Sequence, residues 1–228
     1  MKFVDVSGAP GCGKSTLCYP IWGDKSVIWD GLPPPASWKP FLDEITRLMF
    51  LVDDHPTFEA VLRMNDRSLK KMSAVYRMRP LPDKPVFLQT GWLQRITGFG
   101  WRLEHMGRDI NLIRQALWLM PVSVGVAFLE ADLETILYRN REREKNLATA
   151  HENRSEQAKL MLNSIELAKS VMKDRGVNTV EIDVQHQTIE FARQQLLDFA
   201  HQKSGDASPD GSCGEVALFS SPPIWFRS

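Results

Sequence analysis

The sequence predicts an α/β protein in which a parallel sheet is covered by helices on both faces. Short apolar segments alternate along the chain with segments of helical periodicity, which is the order expected of strands joined by helical crossovers. The short segments are apolar nearly throughout, as strands buried on both faces are. Five segments are predicted to be strands: residues 2–7, 26–30, 85–89, 122–130 and 178–183. We therefore expect three layers, with about five parallel strands in the middle layer.

Composition limits the classes of protein to which this chain can belong. Its 228 residues are 43% hydrophobic, enough for one sizeable core and few for two independent domains. Lysine plus arginine equals aspartate plus glutamate at 28 each, so no overall field attracts nucleic acid or a membrane. Without a long apolar run or a signal-peptide pattern, we expect a soluble cytoplasmic protein with no membrane association. Cys12, Cys18 and Cys213 lack paired metal-ligand spacing and are expected to be free thiols.

Helical periodicity ends near residue 202. Residues 203–228 are rich in Gly, Ser, Pro and Asp, which is the composition of a flexible tail, so residues 1–202 are predicted to form one domain. The last residues, P-P-I-W-F-R-S, are unusually apolar. Two interpretations stay open: a loose end that docks weakly on the surface, or a peptide that binds a partner or joins a homodimer.

The first predicted strand is followed directly by a glycine-rich phosphate-binding motif. G-A-P-G-C-G-K-S fits G-x-x-x-x-G-K-[ST] at Gly8, Gly13, Lys14 and Ser15. Backbone N–H groups can wrap a phosphate only where the chain approaches without Cβ atoms in the way, and a helix beginning at Lys14 adds its positive end. The predicted nucleotide-binding residues are Gly8, Ala9, Pro10, Gly11, Cys12, Gly13, Lys14, Ser15 and Thr16.

Within this motif the two polar side chains have different predicted roles. Lys14 would contact the β- and γ-phosphates of ATP and act in catalysis, while the Ser15 hydroxyl would bind Mg²⁺. Motors and switch GTPases add an acidic residue at the end of a second strand, but here that position holds Gln89, and no N-K-x-D motif occurs. The motif therefore predicts nucleotide binding without identifying the acceptor. The acid that completes the Mg²⁺ site is also open, because Asp5 lies far back in the first strand.

Two further segments extend the pattern. Asp30 ends the second predicted strand, and Y-R-N-R-E-R-E-K-N spans residues 138–146. With the phosphate-binding motif, this arrangement resembles the P-loop kinases of the thymidylate and deoxynucleoside kinase superfamily. The resemblance implies that Asp30 accepts the proton of the attacking hydroxyl, and that Arg139, Arg141 and Arg143 form an arginine-rich lid, about residues 138–153, over the donor phosphates. The alternatives are that Asp30 caps a turn and that the arginines line a solvated helix face.

Acceptor residues are predicted from the region around the third strand. Kinases of this superfamily usually carry a D-R or E-R pair after the third strand, and this sequence has Q-T-G-W-L-Q-R in its place. Within this segment Gln89 is expected to read a base edge and Arg95 to hold an acceptor phosphate. Trp92 is expected to stack on a base, with a core position as the alternative. Residues 63–84 carry seven basic and two acidic residues, so Arg67 is expected to bind a phosphate backbone unless this is only a solvated face.

A narrower resemblance concerns the acceptor itself. The motif, the D-G-L-P-P-P turn, residues 51–77 and Q-T-G-W-L-Q-R together resemble phage-encoded kinases of this superfamily that act on 5-hydroxymethyluracil in DNA. This resemblance implies transfer of the ATP γ-phosphate to the hydroxymethyl oxygen, with DNA as partner, as a step in thymine hypermodification. Two alternatives stay open. One is a kinase of free nucleosides or nucleoside monophosphates, and the other is a non-catalytic ATP-binding regulatory module.

Overall fold

A four-stranded parallel sheet forms the centre of the fold. The structure is a computed structural model that describes residues 3–18, 36–52, 86–88, 91–122, 125–145 and 154–202. The strands of this part are β1 (Phe3–Ser7), β2 (Val86–Leu88), β3 (Gly125–Glu130) and β4 (Thr179–Asp183). They lie in the order β2-β1-β3-β4, and every neighbouring pair is parallel. The predicted α/β class is confirmed.

Four of the five predicted strands are present. β3 begins at Gly125, three residues later than predicted, because an apolar run does not by itself mark where pairing with neighbouring strands starts. The fifth predicted strand, residues 26–30, lies outside the described residues, as do the basic segment 63–84 and the tail from residue 203. Those parts of the sequence analysis stay predictions.

Helices join the strands, as expected for parallel connections. They are α1 (Lys14–Cys18), α2 (Lys39–Val52), α3 (Trp92–His105), α4 (Arg114–Leu119), α5 (Leu133–Lys145), α6 (Arg154–Asp174) and α7 (Ile189–Gln202). Short 3₁₀ turns occupy Ala36–Trp38 and Ile110–Ile113. Gly107 and Gly176 follow α3 and α6 with φ of 69° and 65°, the left-handed conformation that commonly ends a helix.

The side chains of β1 alternate between the two faces of the sheet. Val4 and Val6 pack with Leu17 of α1 and Leu196 of α7 in one apolar cluster. A larger cluster on the other face contains residues of α2, α3 and α6. Asp5 and Ser7 take the alternate positions of β1 and therefore face α3. This alternation confirms a sheet with helices on both faces.

The carboxyl ends of β1, β3 and β4 lie at one edge of the sheet, because the strands are parallel. The segments that follow these strands are therefore neighbours, although they begin at residues 8, 131 and 184. In open α/β sheets this edge is where ligands bind.

Two expectations from composition concern helices and thiols. Among the described helices, none is both long enough and apolar enough to span a membrane. Cys12 and Cys18 are free thiols, both buried, whereas Cys213 lies outside the described residues.

Candidate functional site

The glycine-rich segment forms a tight loop between β1 and α1. The chain leaves β1 after Ser7 and enters α1 at Lys14, as predicted. Gly11 and Gly13 have φ of 93° and 99°, a left-handed conformation that side chains with a Cβ rarely adopt. Cys12 N donates a hydrogen bond to the Ala9 carbonyl at 3.1 Å and so closes the turn. The two glycines are therefore required by the backbone path.

The Lys14 side chain folds over this loop. Its Nζ donates to the Gly8 carbonyl and, at 3.2 Å, to the Ala9 carbonyl, and it lies 3.7 Å from Cys12 Sγ. These contacts hold one positive charge at the opening of the loop. An ammonium group in this position can neutralise phosphate oxygens bound by the loop.

A cavity of about 670 Å³ opens from the loop, within the size range of small-molecule sites. Its lining includes the loop with Lys14, Ser15 and Thr16. It also includes Tyr138, Arg139, Val184, Gln187 and Ile189 from α5 and from the segment after β4. The phosphate-binding loop therefore borders a space large enough for the rest of a nucleotide.

The lining outside the loop combines exposed apolar surface with polar groups, which include Arg139, Glu142 and Gln187. Tyr138 and Ile189 are 64% and 46% exposed, which is high for large apolar side chains. Gln187 Oε1 is buried and has no hydrogen-bond partner. A flat, largely apolar ring with polar edges, such as a nucleobase, suits this combination.

The segment after β4 is fixed in place by a carboxylate. Asp183 Oδ1 accepts hydrogen bonds from the backbone N–H groups of His186 and Gln185 at 3.0 and 2.8 Å. These bonds lower the pKa of Asp183 to about 2. Gln185 Nε2 donates to Asp132 Oδ2 at 2.6 Å, and the Asp132 N–H donates back to Gln185 Oε1 at 2.8 Å. The cavity wall between β4 and α7 is thus joined to the start of α5.

Of the two predicted lid arginines whose side chains are described, Arg139 lines the cavity. Arg139 donates from Nη2 to the Val184 carbonyl at 2.8 Å and from Nη1 to the Cys12 carbonyl at 3.4 Å. Arg141 is exposed and lies outside the cavity lining. Residues 138–145 continue α5, and positions two apart face different sides of a helix, so Arg139 and Arg141 point in different directions and the lid role of Arg141 stays a prediction. The Arg143 side chain and residues 146–153 lie outside the description.

Three side chains that sequence reasoning missed contact the loop or α1. Gly8 N donates to Gln94 Oε1 at 3.4 Å, and Asn140 Nδ2 donates to the Pro10 carbonyl at 3.0 Å. Arg193 of α7 donates to the carbonyls of Thr16 and Leu17, each at 3.3 Å. Gln94 and Asn140 stand inside segments that the sequence singled out, but nothing in the sequence marks Arg193.

Trp92, which was predicted to stack on a base, is a core residue. It is 1% exposed, and its ring meets Phe41 edge-on with centroids 5.0 Å apart. Trp92, Leu93, Ile96 and Phe99 all lie on the buried face of α3. The predicted stacking role is therefore wrong, because the helical spacing of these residues directs the indole into the core.

Arg95 remains a candidate for holding an anion. Its Nη1 atom is buried and has no hydrogen-bond partner. Burial, followed by the nearby charge of Arg102, lowers the pKa of Arg95. A guanidinium group in this condition would gain from contact with a phosphate, and the acceptor role of Arg95 stays a prediction. Asp30, Arg67 and Gln89 lie outside the described residues.

Asp5 and Ser7 place further polar atoms below the loop. Asp5 is 2% exposed, and neither its Oδ2 nor the Ser7 Oγ has a partner. Burial raises the pKa of Asp5 to about 7. A Cβ atom at Gly91 would overlap Asp5 Oδ1, so the start of α3 sits directly on this carboxyl group. Asp5 does not line the cavity.

The fold is shared with solved structures, whereas no protein-family model and no curated protein matches the sequence. A structure of deoxyadenosine kinase from M. mycoides with bound dATP has a TM-score of 0.52 and 14% identity, and the match covers 87% of this chain and 98% of that one. A second structure of that enzyme, with the products dCMP and a flexible dCDP bound, has a TM-score of 0.50 and 12% identity, covering 89% and 100%. The chain therefore has the α/β fold seen in these deoxynucleoside kinase structures.

Proposed function

We propose that the protein is an ATP-dependent phosphotransferase that transfers the γ-phosphate to a hydroxyl group of a nucleoside-type acceptor. The observation that carries this proposal is the loop of residues 8–15, which has two left-handed glycines, a lysine at its opening and a nucleotide-sized cavity beside it. The match in fold to the M. mycoides deoxyadenosine kinase structures supports the same class of reaction.

In this proposal the donor lies along the cavity. The loop amides and Lys14 hold the triphosphate, and the base lies between Tyr138, Arg139 and Ile189. The acceptor oxygen forms a bond to the γ-phosphorus while the bond to the oxygen that bridges the β- and γ-phosphates breaks. The hydroxyl proton passes to a carboxylate, for which we propose Asp30. Lys14 neutralises charge as it develops on the transferred group.

Mg²⁺ fits this site through one protein ligand. Ser15 is exposed, lies at the second position of α1 and lines the cavity. Mg²⁺ commonly takes one or two protein oxygens together with substrate phosphates and water, and it neutralises phosphate charge when bound. No group of three or more His, Cys, Asp or Glu side chains in the described residues could hold a metal by itself. The donor set therefore suits a metal that enters with the nucleotide.

For the acceptor we propose a free nucleoside or nucleoside monophosphate. Deoxyadenosine kinase, whose fold this chain shares, supports this class. The DNA acceptor predicted from the sequence depended on Trp92, which is in the core, and on residues outside the described part of the chain. Only Arg95 among the predicted acceptor contacts has a described position that suits the role.

A transfer assay with γ-labelled ATP tests the proposal. The acceptors are the free nucleosides, the nucleoside monophosphates and duplex DNA containing 5-hydroxymethyluracil, with the Lys14→Ala variant as blank. We expect label in small nucleotides. Label that remains with high-molecular-weight DNA would replace the proposed acceptor class with the modified base. Tight ATP binding without transfer to any acceptor would instead favour the regulatory module.

A further inference from the structure

A buried amide lies behind the phosphate-binding loop. Asn140, in the middle of α5, is 5% exposed, and its Nδ2 donates to the Pro10 carbonyl at 3.0 Å. Burying an amide is unfavourable unless its polar atoms are hydrogen-bonded. This hydrogen bond joins residues 130 positions apart in the sequence, so it fixes the loop to a separate element of the fold.

The other side of the amide is in close contact with the loop. A Cβ atom at Gly11 would lie 2.7 Å from Asn140 Oδ1 and 3.0 Å from the Ile136 carbonyl. A side chain at residue 11 would therefore require the Asn140 amide or the Ile136 carbonyl to move. The orientation of the amide is also fixed, because exchanging its nitrogen and oxygen would turn two acceptors toward each other at Pro10.

A hydrogen bond that fixes a loop carbonyl on the side of α5 also directs the following N–H group to the opposite side. In a trans peptide the C=O of one residue and the N–H of the following residue point in opposite directions. The Pro10 carbonyl faces Asn140, so the Gly11 N–H points away from α5. The Cys12 carbonyl faces Arg139 at 3.4 Å, so the Gly13 N–H does the same. Gly11 and Gly13 both line the cavity, where N–H groups would meet phosphate oxygens.

We propose that Asn140 is a positioning residue for nucleotide binding: it touches no substrate, but it holds the Pro10 carbonyl so that the loop amides face the phosphates. The role rests on the proposed function, since it requires a triphosphate in the loop. It predicts a loss of nucleotide affinity that is larger than any effect on the acceptor.

Two variants and two matched controls test this role. Asn140→Ala removes the amide, and Asn140→Asp keeps its shape but can donate a hydrogen bond only while the carboxyl group is protonated. Asn163 is the control position because its Nδ2 also makes a side-chain hydrogen bond, 2.8 Å to Glu104 Oε1, on an exposed face of α6. The readouts are direct binding of a non-hydrolysable ATP analogue from pH 5 to 8, and KM for ATP and for the acceptor.

For Asn140→Ala we expect analogue affinity to fall on the order of tenfold, the effect of one buried hydrogen bond. KM for ATP should rise with KM for the acceptor unchanged. Asn140→Asp should lose affinity as the pH rises and the new carboxyl group ionises, more steeply than wild type. Asn163→Ala and Asn163→Asp should bind as wild type does at each pH.

The outcomes separate the two proposals. A wild-type protein that binds no nucleotide removes the proposed function, and the role of Asn140 with it. If wild type binds and Asn140→Ala binds equally well, even with a lower melting temperature, the residue is only structural and the inference is wrong. Should Asn140→Ala fail to fold, Asn140→Asp decides, and a pH profile parallel to that of wild type would overturn the role.

Discussion

The phosphate-binding loop and the start of α3 lie next to each other, yet they differ in whether their polar atoms have hydrogen-bond partners. The loop is held by three side chains from two helices, Gln94 of α3 and Arg139 and Asn140 of α5, each within hydrogen-bond distance of its backbone. At the start of α3 and the facing side of β1, buried polar atoms have no partner. These atoms are Asp5 Oδ2, Ser7 Oγ, Trp92 Nε1 and Arg95 Nη1.

This difference indicates two kinds of site. A loop whose backbone is bonded from behind is preformed for its ligand, so little ordering cost remains when a triphosphate binds. Each unpartnered buried group costs about 1–3 kcal/mol in the folded state. The loop is therefore already ordered for ligand binding. The start of α3 instead carries a desolvation cost that no described contact offsets. Variants on either side should give different kinds of effect.

The largest effect is expected at the loop. Lys14→Ala removes the charge at the opening and should lower phosphate transfer by about 10²–10³-fold, as does the loss of a group that stabilises transition-state charge. Initial rates and far-UV circular dichroism measure transfer and folding separately. Lys159→Ala, on an exposed position of α6, is the control and should leave both unchanged. Near-normal transfer by Lys14→Ala would remove the loop from the reaction.

Asp5→Asn tests the unpartnered side of the comparison. Burial raises the pKa of Asp5 from 3.8 to about 7, so between these values the folded chain keeps a proton that the unfolded chain releases. Folding stability therefore falls as the pH rises through this window, by roughly 2–4 kcal/mol in all. Asparagine cannot ionise, so the variant should gain stability relative to wild type from pH 5 to 8.

Urea unfolding of the two proteins across that pH range measures the difference. The stability advantage of Asp5→Asn over wild type should grow with pH and level off above about pH 8. Asp43→Asn, which changes an exposed carboxylate paired with Lys39 at 2.6 Å, should shift stability by less than about 1 kcal/mol at every pH. A constant difference between Asp5→Asn and wild type would mean that Asp5 is ionised throughout.

Two arginines of α5 test whether a side chain that contacts the loop contributes more to nucleotide binding than an exposed one on the same helix. Arg139→Ala removes two hydrogen bonds to backbone carbonyls, one of them on the loop, and should weaken ATP-analogue binding by roughly tenfold. Arg141→Ala, on an exposed position, should change binding by less than about twofold. Equilibrium titration measures both. Equal losses would mean that α5 contacts the donor from both sides.

The strands and the loop could be predicted because their signals are local. Apolar runs and the spacing of Gly8, Gly13 and Lys14 are each complete within a few residues, and the structure confirms the strands it describes and the start of α1. The error at Trp92 was also avoidable in principle, since the spacing of Trp92, Ile96 and Phe99 is that of a buried helix face.

The contacts that hold the loop and α1 could not be predicted in the same way. Asn140 and Arg193 bind backbone carbonyls 130 and 176 positions earlier in the chain. A backbone carbonyl has the same chemistry at every residue, so the sequence does not mark which one a distant side chain will meet. The R-x-R-x-R pattern predicted a shared charge, but only the observed helix shows that Arg139 lines the cavity and Arg141 does not.

The smallest effect is expected where Arg95 offers an unpartnered nitrogen. Arg95→Gln should raise KM for a phosphate-bearing acceptor by no more than about fivefold and leave ATP-analogue binding unchanged, since partly exposed ion pairs contribute little. Arg102→Gln is the matched control. Arg102 lies on the same helix, but its guanidinium lies over the Trp101 ring, 5.8 Å from the ring centroid, whereas Arg95 has an unpartnered buried nitrogen. Steady-state kinetics with acceptors with and without a phosphate separate the two residues.

Salt dependence then decides what the acceptor is. A polyanionic acceptor releases counterions from every neutralised phosphate, so both Arg95→Gln and Arg102→Gln would flatten the dependence of KM on salt if DNA were bound along α3. A free nucleotide presents one phosphate group, so only Arg95→Gln should change the salt dependence of KM, and the change should be small. Equal flattening by both variants would mean that the unpartnered atoms at the start of α3 face a polynucleotide, and the proposed acceptor class would be wrong.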